Sequence, residues 1–287
     1  MTFGGGLAAA RAGLWARAFV RRGLAAKVWV MNARTKSGAG ARKRASRHVV
    51  VLGGGGFSGG EQHTLIDDFV LGLTGKVRPR VCFVATASGD SVGYIERFRA
   101  AFGPDRARAS FVSLFARGRR TLESQIMGQD VIYVGGGSTA NLLAVWRLHG
   151  LDKVILRAHK SGREQGGGAV LAGVSAGMLC WFEACLTDSF GPVAPMRDGL
   201  GLLKGAACPH YDGERERRPM FEGLIAGRKL PGGVACDDHA AAHYSNGELV
   251  GGVSEVRGKG VFMVAKRGAE AVTTPVATRY LGSDTGA

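Results

Sequence analysis

The chain has 287 residues, 45% hydrophobic and 21% charged, so it can bury a sizeable core and is too apolar to be disordered as a whole. Its 47 glycines gather at the ends of apolar runs rather than at every third position, which excludes collagen and marks tight turns. The net charge of +15 is uneven: residues 1–47 hold eleven Lys and Arg and no acid, leaving 27 basic against 23 acidic residues beyond them.

The remainder is therefore only mildly basic. It carries no zinc-finger spacing and no aromatic RNA-binding signature, so no nucleic-acid partner is expected. Residues 1–47 form a basic N-terminal extension. Leu7, Leu14, Trp15, Phe19 and Val20 alternate there with Arg11, Arg17, Arg21 and Arg22. Such a stretch reads either as an organellar (mitochondrial) transit peptide or as a poorly ordered extension of a cytoplasmic protein. Charge interrupts it too often for a membrane span.

A single domain is expected over 48–287. Residues 48–52 form a β-branched run that ends in Gly53, Gly54, Gly55 and Gly56, a buried strand leading into a tight loop. A helix is expected over 61–73, a strand over 80–86, a helix over 91–102, a strand over 109–114 and a short helix over 122–127. A strand over 130–134 ends in Gly135, Gly136 and Gly137. Helices over 140–148 and 152–164 and a strand over 169–173 follow, with helix-like spacing over 178–182. This alternation predicts an α/β fold with a mainly parallel, doubly wound sheet and helices on both faces. Beyond Phe182 loops, antiparallel strands and one helix near 217–226 are expected.

The cysteines Cys82, Cys180, Cys185, Cys208 and Cys236 are odd in number and form no CxxC pair. They read as reduced, buried thiols of an intracellular protein. No Cys/His cluster has ligand spacing, so no metal is expected.

Chemistry concentrates at Gly173-Val174-Ser175-Ala176-Gly177. A strand, then Gly-x-Ser-x-Gly, then a helix is a nucleophile elbow, in which a strained turn pushes the serine hydroxyl out of the sheet. The next backbone N–H, from Ala176, and the helix N-terminus would favour an oxyanion. A serine nucleophile needs a base. His210, after Pro209, is held on a stiffened loop approach, while His239 and His243 remain rivals.

The succession Gly135-Gly136-Gly137-Ser138-Thr139 with Leu142 and Leu143, then Gly-x-Ser-Ala-Gly, then Pro209-His210 resembles the dipeptidase E (aspartyl dipeptidase) and cyanophycinase family, over roughly residues 48–281. The resemblance implies a three-layer αβα sandwich like that of class I glutamine amidotransferases. It also implies a serine peptidase acting on short peptides after aspartate, without an organic cofactor. Ser175 is then nucleophile and His210 general base, with Gly136, Gly137 and Ala176 donating N–H groups to the tetrahedral intermediate. The acid behind the histidine is Asp238 or Asp188, with Asp237 and Glu183 weaker contenders. Arg215 aligns with an arginine that binds the substrate aspartate, a role suited to its planar fork of donors. Ser138 departs from the asparagine often found at its position. Monomer and homodimer both remain open.

Three other readings compete. An α/β-hydrolase esterase would use a late histidine, His239 or His243. A non-catalytic module would hold an anion in the glycine loops. A glutamine amidotransferase would need cysteine at position 175.

Overall fold

The computed structural model describes residues 46–60, 65–161 and 167–283. The expectations for residues 1–45, and the first turn of the helix expected over 61–73, lie outside them. In chain order the elements are β1 (His48–Leu52), α1 (Leu65–Gly72), β2 (Arg80–Val84), α2 (Val92–Ala101), β3 (Arg108–Val112), α3 (Leu122–Ile126) and β4 (Val131–Val134). Then come α4 (Thr139–His149), α5 (Leu151–Lys160), β5 (Val170–Val174), α6 (Ala176–Leu179), β6 (Phe182–Thr187), β7 (Ala194–Met196), β8 (Leu203–Cys208) and α7 (Arg217–Ala226). The chain closes with β9 (Gly233–Cys236), β10 (Ala240–Ser245), β11 (Glu248–Ser254), β12 (Val261–Arg267), β13 (Glu270–Val276) and β14 (Thr278–Tyr280).

An eight-stranded sheet has the order β14-β11-β10-β1-β5-β4-β2-β3. Its strands β1, β5, β4, β2 and β3 pair in parallel, and β10 joins β1 antiparallel. The parallel strands are continuous apolar runs because both their faces are covered. Val49, Val51, Val84, Ile132 and Leu171 pack into one core with Leu142, Trp146 and Ile155 from α4 and α5. The alternate residues Val50, Leu52, Phe83, Tyr133 and Ala172 pack with Ile66, Val70 and Phe98 from α1 and α2 on the other face. This is the αβα layering that the strand–helix alternation predicts.

A six-stranded sheet, β13-β12-β9-β8-β6-β7, accompanies it. Its Phe182, Leu203, Val234 and Val261 share the core beneath α4 and α5, while α7 covers its other side through Phe221 and Ile225. The helix expected over 178–182 is only one turn, since α6 stops at Leu179 and Phe182 already begins β6. The carbonyls of Cys180 and Trp181 accept the N–H groups of Leu200 and Leu203 at 2.9 Å each, which draws the backbone out of the helix and into the second sheet. Ser138 caps α4, its hydroxyl accepting the Asn141 N–H at 3.3 Å. Asparagine at that position would cap as well.

Candidate active site

Ser175 directly follows β5, with φ 53° and ψ −113°. The left-handed φ of a non-glycine residue is a strained backbone, of the kind that concentrates at functional sites. Close neighbours enforce it. A Cβ on Gly173 would fall 2.2 Å from the Gly177 carbonyl oxygen, and one on Gly177 2.2 Å from that of Val134. The two outer glycines of the motif therefore let three backbone segments pass at contact distance. The Ser175 N–H is tied to the Leu52 carbonyl at 3.1 Å, and the Ser175 carbonyl accepts from Met178 and Leu179.

His210 follows β8, an inner strand of the second sheet, and also has a left-handed φ, 49°. Its Nε2 lies 3.0 Å from Ser175 Oγ. Its Nδ1 lies 2.6 Å from Asp238 Oδ1. With the carboxylate accepting from Nδ1–H, Nε2 is left as the acceptor for the serine hydroxyl. Asp238 follows β9 and sits between two glycines. A Cβ on Gly54 would meet its Oδ1 at 1.9 Å, and one on Gly213 its Oδ2 at 1.9 Å. The hydrogen bond from His210 holds the Asp238 carboxyl below its ordinary pKa, against the opposing effect of burial. Its backbone N–H is anchored on Asp212 Oδ1 at 2.9 Å, and Asp212 in turn pairs with Lys259.

The other candidate acids lie elsewhere. Asp188 faces Arg217 at 3.7 Å. That arginine, only 2% exposed, also binds Glu214 and the Leu186 carbonyl. Asp237 accepts from Gly260 N–H, and Glu183 pairs with Lys204. The rival histidines are likewise engaged: His239 with Glu255 at 2.9 Å and His243 with His48 at 3.0 Å.

Of the three expected oxyanion donors, Gly136 lies against Ser175, since a Cβ there would be 3.4 Å from Ser175 Cβ. Its N–H, however, is taken up by the Tyr94 hydroxyl at 3.1 Å. The N–H groups of Gly137 and Ala176 meet no protein acceptor among the described residues. The single turn of α6 is too short to contribute much dipole of its own, so individual N–H groups carry the electrostatics. Arg215 is exposed, two residues beyond Gly213, and it makes no ion pair among the described residues. In the loop 53–56 and just after it, Gly56 N–H goes to Glu255 at 3.0 Å and Phe57 N–H to Asp67 at 2.8 Å. These two donors are held by the protein's own carboxylates, and the Gly53 N–H by the Ala240 carbonyl at 3.0 Å. No group of three or more His, Cys, Asp or Glu side chains among the described residues converges as a metal site.

Sequence reasoning missed Tyr94. Its signal was a phenol on the apolar face of α2, beside Ile95 and Phe98, where a buried hydroxyl needs a partner.

A serine on a strained strand-to-helix turn, with a histidine in reach from a proline-stiffened loop, is the layout of an α/β serine hydrolase. The sequence matches the model of Peptidase family S51 over residues 49–250, and the chain belongs to that family, so it is a serine peptidase. It is 42% identical over 236 residues to "Uncharacterized peptidase YgaJ" of Bacillus subtilis (strain 168), covering 82% of this chain and all of that one. Among solved structures it resembles a peptidase from an acI-B1 Actinobacterium, with TM-score 0.55 and 16% identity, over 81% of this chain and 98% of that one. A second likeness is to a protein of Listeria monocytogenes EGD-e described as a candidate peptidase E, with TM-score 0.53 and 17% identity over 72% and 98% of the two chains. At these identities the structural likenesses bear on the fold. Among the described residues no helix is long and apolar enough to cross a membrane.

Proposed function

We propose that the protein hydrolyses short peptides through a triad of Ser175, His210 and Asp238, preferring an acidic residue before the scissile bond. The observation that carries this reading is the unbroken hydrogen-bond chain from Ser175 Oγ through the His210 ring to Asp238 Oδ1. Ser175 attacks the scissile carbonyl while His210 Nε2 takes its proton. Asp238 fixes the tautomer and stabilises the imidazolium. Backbone N–H groups beside Ser175 hold the oxyanion. His210 then protonates the leaving amine, and a water, deprotonated in turn by His210, releases the acyl group and regenerates the serine.

Arg215 supports the acidic preference, being an exposed guanidinium that pairs with no carboxylate among the described residues, five residues after His210 in the chain. The five free, buried thiols suit a reducing compartment such as the cytoplasm. Residues 1–47, acting as a transit peptide, would redirect the chain to a mitochondrion.

The test is hydrolysis of Asp-Leu, Glu-Leu, Ala-Leu, a blocked Asp peptide and a p-nitrophenyl ester by wild type, Ser175→Ala, His210→Ala and Arg215→Ala. Cleavage of Asp-Leu that disappears in the first two variants is expected. Arg215→Ala should lower kcat/KM for Asp-Leu by about 10-fold or more and leave Ala-Leu unchanged. Equal losses on both substrates would remove Arg215 from the reading. Ester cleavage alone would replace the peptidase specificity with that of an esterase.

A further inference from the structure

Behind the nucleophile, three residues from three different elements form one hydrogen-bonded line. Tyr94, on α2, is 6% exposed. Its hydroxyl accepts the Gly136 N–H at 3.1 Å and also bonds the Ser58 hydroxyl, just after the first glycine loop. The Tyr94 ring reaches the same turn: a Cβ on Gly135 would lie 3.0 Å from Tyr94 Cε1 and 2.9 Å from Phe83 Cζ. On its far side the turn is held by the 86–88 segment. Ala87 carbonyl accepts the Ser138 N–H at 2.9 Å, and a Cβ on Gly137 would fall 2.2 Å from that carbonyl oxygen. The turn is thus clamped from both sides, with Gly136 pressed against Ser175.

We infer that Tyr94 is a positioning residue of the reaction: it takes up the Gly136 N–H, fixes the 135–137 turn, and leaves Gly137 and Ala176 as the N–H donors that hold the oxyanion. The inference rests on the serine-peptidase reading of the site. It differs from the motif-based assignment, in which Gly136 itself would donate. A Gly136 N–H bonded to a buried phenol cannot also meet the substrate without breaking that bond, whereas the Gly137 and Ala176 N–H groups have no competing acceptor among the described residues. Burial keeps the phenol protonated by raising its pKa, so the hydroxyl can accept from Gly136 and still share its own proton with Ser58.

The test uses the full chain and an alkyl fluorophosphonate. Ser175 Oγ bonds to phosphorus, fluoride leaves, the serine proton passes to His210, and the phosphoryl oxygen occupies the oxyanion position. Labelling rates and melting temperatures are compared for wild type, Ser175→Ala, Tyr94→Phe and Ser58→Ala, together with kcat and KM on a p-nitrophenyl ester. The expected result is labelling of wild type and none of Ser175→Ala. Tyr94→Phe should be slowed about 10- to 100-fold, with the loss in kcat and KM unchanged, at temperatures well below its melting point. Ser58→Ala, which only frees the phenol to rotate, should slow labelling about 3-fold. It decides the matter if Tyr94→Phe does not fold. Labelling of Tyr94→Phe, or of Ser58→Ala in that event, at the wild-type rate overturns the inference while leaving the serine-peptidase reading intact. Absence of labelling in wild type itself overturns that reading, and the inference with it.

Discussion

A single methyl group added at Gly213 should disable the site while leaving the fold in place. Gly213 is exposed and its φ is not left-handed, so alanine is compatible with the backbone. Its Cβ would nevertheless lie 1.9 Å from Asp238 Oδ2 and 2.9 Å from Asp238 Cγ. That is about 1.5 Å inside ordinary contact. The struck atoms belong to the tip of a side chain, so the carboxylate can swing aside at modest cost, expected to be about 1 kcal/mol or less in stability. Its retreat stretches the 2.6 Å bond to His210 Nδ1 to beyond the range of a hydrogen bond. A misplacement of about 1 Å costs roughly 10²-fold in rate. Complete loss of the orienting acid, judged by other serine proteases, costs about 10⁴-fold. Gly213→Ala should therefore lower kcat between these limits, with the melting temperature nearly unchanged. Gly54→Ala, pressing on Oδ1 from the opposite side, should give the same signature. The decisive assay is a double-mutant cycle with Asp238→Asn. If the methyl acts through the carboxylate, it should add little once the carboxylate is gone. Wild-type kcat in Gly213→Ala, or a loss that multiplies fully with that of Asp238→Asn, would refute the reasoning.

Gly177→Ala should behave in the opposite way, because its Cβ would strike the backbone carbonyl of Val134 at 2.2 Å. A rigid strand cannot yield as a side chain can, so a destabilisation of about 3 kcal/mol or more is expected in denaturant titration. A wild-type midpoint would show that the elbow is loosely packed. His243 is held neutral, its pKa lowered from 6.5 to about 4 by burial and then by His48. The unfolded histidine protonates first, so the stability contributed here is complete above pH 6.5 and lost as the pH falls toward 4. The unfolding midpoint should fall across that window, and His243→Gln should flatten the fall. Equal slopes in the two proteins would contradict the assignment. Burial pushes the Cys82 and Cys185 thiols up to about 12, and the other three are also buried. Iodoacetamide at pH 8 should modify none of them rapidly in the native protein and all five after denaturation, as read by mass spectrometry.

The parallel half of the fold was legible because its strands are apolar on both faces and because glycine or a capping hydroxyl marks several helix ends, as Ser138 and Gly150 do for α4. Ser175 was legible for the same reason: an elbow is local, written in five adjacent residues. The second sheet was not. No helix separates β6, β7 and β8, and the apolar stretch from Met178 to Phe182 shows no period that separates a helix from a strand. Long-range hydrogen bonds from Leu200 and Leu203 decide its conformation. The pairing of His210 with Asp238 rather than Asp188 was also beyond periodicity. Both acids follow strands that flank β8 in the second sheet, and only the side-chain contacts formed beyond those strands bring Asp238 to the histidine and Asp188 to Arg217. Tyr94 escaped notice because one hydroxyl on an apolar helix face resembles ordinary core. Its meaning depends on Gly136, which meets it only after the sheet has formed.

Ser175 follows a strand of the first sheet, and its proposed base and acid follow strands of the second, so the order in which the chain is made matters to the proposed triad. A growing chain that has just completed β5 and α6 already carries Ser175 on its turn, but neither His210 nor Asp238 has yet been synthesised. Under the proposed triad, such a nascent or truncated chain would be chemically silent toward the peptides around it. On the proposed triad the serine would become reactive only once β8 and β9 have formed, which would make catalytic competence a late checkpoint on complete assembly.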